Sequence, residues 1–152
     1  MRRIHVVVLI GLGLVVFLLI SAVLARVFSV DGAERSAIVG LLEAQARGDA
    51  HAMVARIYGC AERPACGQRA AVNAASLKRS GAVVILELNP SAGFSLSSTV
   101  GTARVAWRAG SSLPVVQCVR VRRAGNALSG LRVQLLEISL RIKSDTSCPA
   151  RY

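Results

Sequence analysis

The chain opens with 22 consecutive residues, Ile4 to Ala25, that carry no charge and whose notable polar side chains are His5 and Ser21. As a helix rising about 1.5 Å per residue, such a stretch is roughly 33 Å long, enough to cross the hydrocarbon core of a bilayer. Lipid offers backbone amides no hydrogen-bond partners, so a run this apolar is stable there only as a helix that satisfies its own amides. No polar face interrupts its turns, which argues against the core helix of a soluble protein. Residues 1–27 are therefore expected to form a transmembrane anchor, 28–33 a polar junction, 34–148 one extracytoplasmic domain and 149–152 a tail.

The alternative is a secretory signal, since Arg2 and Arg3 make a charged start and Val23 and Ala25 occupy small-residue positions of a cleavage site. Cleavage after Ala25 would release a secreted domain. The apolar run exceeds the usual signal core, however, and Arg26 follows it at once. Arg2, Arg3 and the terminal amine before the segment nearly balance Arg26 and Arg35 after it, so basic residues alone do not orient it. The cysteines do. Cys60, Cys66, Cys118 and Cys148 all follow the apolar segment, and four in a small domain favour an oxidising compartment outside the cytoplasm, with the N-terminus inside.

Three pairings of four cysteines exist. Local loop closure favours Cys60 with Cys66, around a turn containing Pro64, and Cys118 with Cys148, clamping the C-terminal tail onto a strand. The alternative is four buried thiols. A metal site is not expected, because the spacings lack a paired C-x-x-C knuckle and His51 is the only histidine beyond the apolar segment.

Beyond the junction, Ile38, Leu41 and Leu42 recur at helical spacing over Glu34 to Arg47. Gly48 should end that helix and Asp49 cap a second, which carries Met53, Val54 and Ile57. A third short helix is expected from Gln68 to about Lys78. The period then changes to two: strands are expected at Ala82 to Leu88, Thr99 to Arg108, Leu113 to Arg123 and Leu131 to Ile142, with Ala124-Gly125-Asn126 leading into the last hairpin. In the fourth strand the apolar series Leu131, Val133, Leu135 switches parity to Leu136, Ile138, Leu140, Ile142, as a β-bulge near Leu135 and Leu136 would require. Helices followed by an antiparallel meander define an α+β domain.

This order resembles the NTF2-like superfamily, which includes the SnoaL-like and ketosteroid-isomerase-like folds. The stretch LLEAQARGDAHAMVARI looks like the family's opening helices, and VVQCVRVRRAGNALSGLRVQLLEI looks like its last two strands. The resemblance covers about residues 34–142 and rests on element order, so it speaks to fold more than to activity. It implies a cone of about three helices packed on a curved four-stranded antiparallel sheet, able to enclose an apolar pocket. An anchor followed by such a domain also resembles the layout of VirB8-like secretion components and Mce-associated membrane proteins, which implies a homodimer or a membrane-complex partner.

An enzyme of this family would place an acid or histidine in the cone. The candidates are His51, Glu87 and Glu137, with Tyr58 nearby in sequence, and they form no convincing constellation. Ser-His-Asp spacing, a phosphate loop and a Rossmann fingerprint are all missing, and no cofactor is expected. A noncatalytic binding or assembly module is the reading preferred over an enzyme acting on an apolar ligand. The chain's net charge of +11 falls to +8 without Arg2, Arg3 and Arg26. Its arginine and alanine bias is also what a GC-rich bacterial genome produces, so the charge alone does not identify a polyanion partner. More specific are Arg104, Arg108, Arg120, Arg122 and Arg132, which recur on neighbouring strands and could form a basic face for anionic lipid or cell-wall polymer. Nucleic acid ranks lower, because no base-stacking aromatic series accompanies them. Mass measurement of the mature chain should return an intact N-terminal segment; a chain beginning at Arg26 would sink the anchor.

Overall fold

The computed structural model describes residues 2–92, 98–126 and 130–149. The tail expected at 149–152 therefore lies outside the described residues apart from Pro149. The first helix, α1 (Arg2–Arg47), runs without a break from the apolar segment into the domain. The junction at 28–33 is helical, since no proline or capping glycine stops it. At 46 residues α1 is about 69 Å long. Its N-terminal part is long and apolar enough to cross a membrane, and Ile10, Phe17 and Leu19 there are all exposed. Further along, Val30, Glu34, Ile38, Leu41, Leu42 and Gln45 are buried on the side facing the sheet.

Gly48, at φ 77°, turns the chain out of α1, a conformation that favours glycine. Asp49 then caps α2 (Ala50–Arg56), its Oδ1 accepting from the Ala52 amide at 2.8 Å. Helix α3 (Pro64–Ser76) starts four residues before the expected Gln68, because Pro64 fits the first helical position, where no amide is needed. Cys66 therefore sits in the first turn of α3, and it is bonded to Cys60.

Strands β1 (Val83–Asn89), β2 (Thr99–Ala109), β3 (Val115–Asn126) and β4 (Gly130–Ile138) form one antiparallel sheet in chain order. Together with the helices they make an α+β fold. Period-two alternation sends Ala103, Val105, Trp107, Val115, Val119 and Val121 inward against Ile38, Leu41, Leu42 and Met53. The bulge expected in β4 is present: Arg120 pairs with Glu137 and Val121 with Leu135, leaving Leu136 as the added residue. A second bulge, at Leu86, separates the pairs Ile85 with Trp107 and Glu87 with Ala106. β4 stops at Ile138 rather than Ile142, because Ser139 interrupts the ladder by using its hydroxyl to accept from the Cys118 amide at 2.9 Å. Pairing resumes once, with the Ile142 amide donating to the Val116 carbonyl. The chain then turns back over the outer face of the sheet, where Cys148 is bonded to Cys118.

Arg123 shares the inward parity of Val119 and Val121 and is 3% exposed. Its Nε donates to Glu34 Oε2 at 2.9 Å, Nη2 lies 2.8 Å from the same oxygen as an ion pair, and Nη2 donates to Asp31 Oδ1 at 2.7 Å. The Ser91 amide and hydroxyl complete the Glu34 carboxylate at 2.8 and 2.9 Å. Ser91 can approach because Gly101 has no side chain; a β-carbon there would collide with the Ser91 carbonyl. Breaking a buried pair from one side leaves a naked charge, so Glu34→Ala should cost about 3–5 kcal/mol in denaturant unfolding of the full chain, read by Trp107 fluorescence. Glu34→Leu combined with Arg123→Met should recover most of that loss, and equal losses for the single and double variants would count against the pair as the cause.

Candidate functional site

Between helices and sheet, where the resemblance implies a ligand pocket, the space is occupied. Trp107, Met53, Leu41, Leu42, Gln45 and Gln117 are fully buried there. Gln117 Oε1 accepts from Trp107 Nε1 at 2.9 Å and from Gln45 Nε2 at 2.8 Å, while Gln117 Nε2 donates to the Ser139 carbonyl at 3.0 Å. These amides satisfy one another and tie α1 to β2, β3 and the segment after β4. The catalytic candidates are not brought together in this interior. His51 is exposed on α2. Glu87 and Glu137 lie on the outer face, on β1 and β4 at opposite edges of the sheet, three strand spacings across and four residues apart along the strands, hence roughly 19 Å from each other. Among the described residues no group of three or more His, Cys, Asp or Glu could hold a metal ion.

The outer face carries the expected arginines, sorted by what each one touches. Arg104 is held: Nη1 lies 3.9 Å from Glu87 Oε2, and Nη2 donates to the Ser144 carbonyl of the folded-back tail. Arg108, at the far end of β2, donates to the Gly110 carbonyl at 3.3 Å. Arg132 is exposed on β4, opposite Ala124. Arg120 and Arg122 project from one face of β3 into a groove of about 450 Å³, lined also by Tyr58, Glu62, Arg63, Leu136 and Glu137. Neither of these two arginines has a hydrogen-bond or ion-pair partner among the described residues.

The wall of that groove is built by Arg63, which the sequence reading did not single out. Its Nε donates to the Gly59 carbonyl at 2.9 Å, and Nη2 donates to the carbonyls of Tyr58 and Leu136 at 2.8 and 2.9 Å. Nη1 meets Glu137 at 3.4 Å. One planar guanidinium thus joins the start of the disulfide loop to the extra residue of the β4 bulge. Edge pairing supports the same junction, because the Tyr58 amide donates to the Leu135 carbonyl at 2.7 Å. On the other side of Arg63 and Glu137, Ala65, Cys66 and Ile138 line a smaller apolar pocket of about 120 Å³.

No family model matches this chain, and no curated protein or solved structure matches it.

The geometry makes Arg63 a positioning residue for the groove. Arg63→Met should keep the aliphatic stem and remove the donors, costing about 1–3 kcal/mol through unsatisfied carbonyls. Hydrogen exchange should rise at Tyr58 and around Leu136, with the Gln117 region unchanged; uniform acceleration across the sheet would mean that Arg63 has no local role.

Proposed function

We propose that this chain is a single-pass membrane protein with its N-terminus in the cytoplasm and a disulfide-bonded domain outside it, acting as a binding module rather than an enzyme. The observation that carries this reading is the pair Arg120 and Arg122. Two guanidinium groups stand side by side over an open groove in which neither is ion-paired, Glu137 there being engaged by Arg63 and Glu62 lying on the rim, while the domain's interior is filled. Guanidinium groups in this arrangement suit carboxylate or phosphate, to which they can donate paired hydrogen bonds. An anionic cell-wall polymer is the ligand class proposed, with anionic lipid as the competing outcome of the test. The apolar start of α1 supports the anchor, and two disulfides support an oxidising location. We take the domain as NTF2-like on element order, with the groove outside the sheet in place of a cone pocket.

The full chain in uncharged nanodiscs should bind a soluble phosphate-bearing cell-wall polymer, and Arg120→Gln with Arg122→Gln should weaken that binding about tenfold or more, since each charge-assisted bond contributes about 1.5–3 kcal/mol. Raising salt should weaken the parent likewise. Folding should be unaffected, as exposed charge adds little to stability. Unchanged binding by the double variant would remove the groove as the site, and binding only to anionic vesicles would replace polymer by lipid.

A further inference from the structure

The structure assigns a second contact surface, distinct from the groove: the end of the sheet where Ala124–Asn126 pairs with Gly130–Arg132 rests on the phosphate head groups of the bilayer that α1 enters. This inference rests on the proposed membrane anchor. It follows from the direction in which α1 and β3 are tied together. Glu34 is bonded to Arg123, and Gln45, further along the helix, is bonded to Gln117, further back along the strand. The helix advances about 17 Å between its two contacts and the strand about 20 Å between its own, so α1 and β3 run nearly antiparallel. The end of β3 beyond Arg123 therefore points back along α1 toward its apolar half.

Heights above the hydrocarbon follow from the same spacings. Glu34 lies nine residues after Ala25, the end of the uncharged run, hence about 14 Å above the edge of the apolar layer. Asn126 lies three residues past Arg123, about 10 Å back down, which leaves it about 4 Å above that edge. Head groups occupy roughly the first 5–8 Å, so the paired ends of β3 and β4 lie at their level. Arg132, opposite Ala124, stands about 10 Å above the hydrocarbon, within one screening length of the phosphates. It is exposed and has no partner among the described residues.

No flexible joint relaxes this placement. Val30, five residues after Ala25, is already buried against the domain. α1 continues through 28–33, and the Glu34 carboxylate is locked from both sides by Arg123 and Ser91. Ser98 also ties this end of the sheet together, its hydroxyl bonding the Gly125 amide at 3.0 Å. By the same measure Arg122 stands about 17 Å and Arg120 about 24 Å above the hydrocarbon. The groove is thus held clear of the head groups and open to a polymer, while Arg132 faces the lipid.

The test uses the full chain in nanodiscs containing a lipid with a nitroxide on its head group. A fluorophore is attached at Arg132→Cys or, as the distal control, at Arg108→Cys, without reductant so that the native disulfides stay closed. Quenching should be several-fold stronger at position 132 than at 108. Equal quenching at the two positions in a chain that enters the discs overturns the surface contact alone, whereas a chain that stays out of the discs overturns the anchor and this contact together.

Discussion

The bond between Glu34 and Arg123 is the constraint around which the rest of this architecture is arranged. Two opposite charges, 1% and 3% exposed, sit where a long helix meets the inner face of a sheet. Such a pair is tolerable only if every lone pair and proton is engaged, because the desolvation of each ion would otherwise dominate. The surrounding chain goes far toward that demand: Ser91 gives its amide and hydroxyl to Glu34, Asp31 adds a second carboxylate at Arg123 Nη2, and Gly101 clears the space for Ser91. A pair of this kind adds little net stability compared with an apolar substitute. What it supplies is register, since α1 cannot rotate or slide without stranding a charge.

A similar logic operates at the other end of the contact, with neutral groups. Gln45, Gln117 and Trp107 form a closed set of buried donors and acceptors, and Asn73 Nδ2 joins it by donating to the Ser139 carbonyl at 3.1 Å. The helix is thereby pinned to the sheet at two levels, one ionic and one through amides, with aliphatic packing between. Filling the interior in this way leaves the outer face of the sheet as the surface where specificity can reside. That face is shaped by the two disulfides: Cys60 with Cys66 holds the loop that forms one wall of the groove, and Cys118 with Cys148 lays the tail across β3.

Much of this was legible in the chain because it depends on local chemistry. The apolar run, the Gly48-Asp49 punctuation, the Cys60–Cys66 loop and the parity switch at Leu135 and Leu136 are short-range signals, and the structure has each of them in place, as it has the longer Cys118–Cys148 closure. The continuity of α1 was not legible, because Ser29, Asp31 and Gly32 read as a junction until a sheet is present to take Asp31. The two most consequential arginines also escaped. Arg63 makes three of its bonds to backbone carbonyls, which carry no sequence signature. Arg123 did carry one: it is a charged residue on the same parity as Val119 and Val121, and a charge on an inward face calls for a buried partner. Among the candidate site residues, Arg120 and Arg122 line one groove, whereas Arg104 is turned toward Glu87 and the tail.

That division among arginines changes how the net charge of +11 should be understood. A uniform basic surface would attract any polyanion through long-range attraction alone, with little selectivity. Here Arg123 is consumed by carboxylates, Arg63 and Arg104 by carbonyls and single acids, and Arg108 by the turn after its own strand. The planar, five-donor guanidinium suits those structural roles better than an ammonium, which explains why arginine occupies them regardless of any ligand. On the strands of the sheet, the arginines left without a partner among the described residues are therefore Arg120 and Arg122 in the groove and Arg132 near the end of the sheet, while other exposed cations such as Arg35, Arg47 and Arg141 lie outside it. Two small sites held at fixed positions on one sheet can discriminate by geometry, which total charge cannot do.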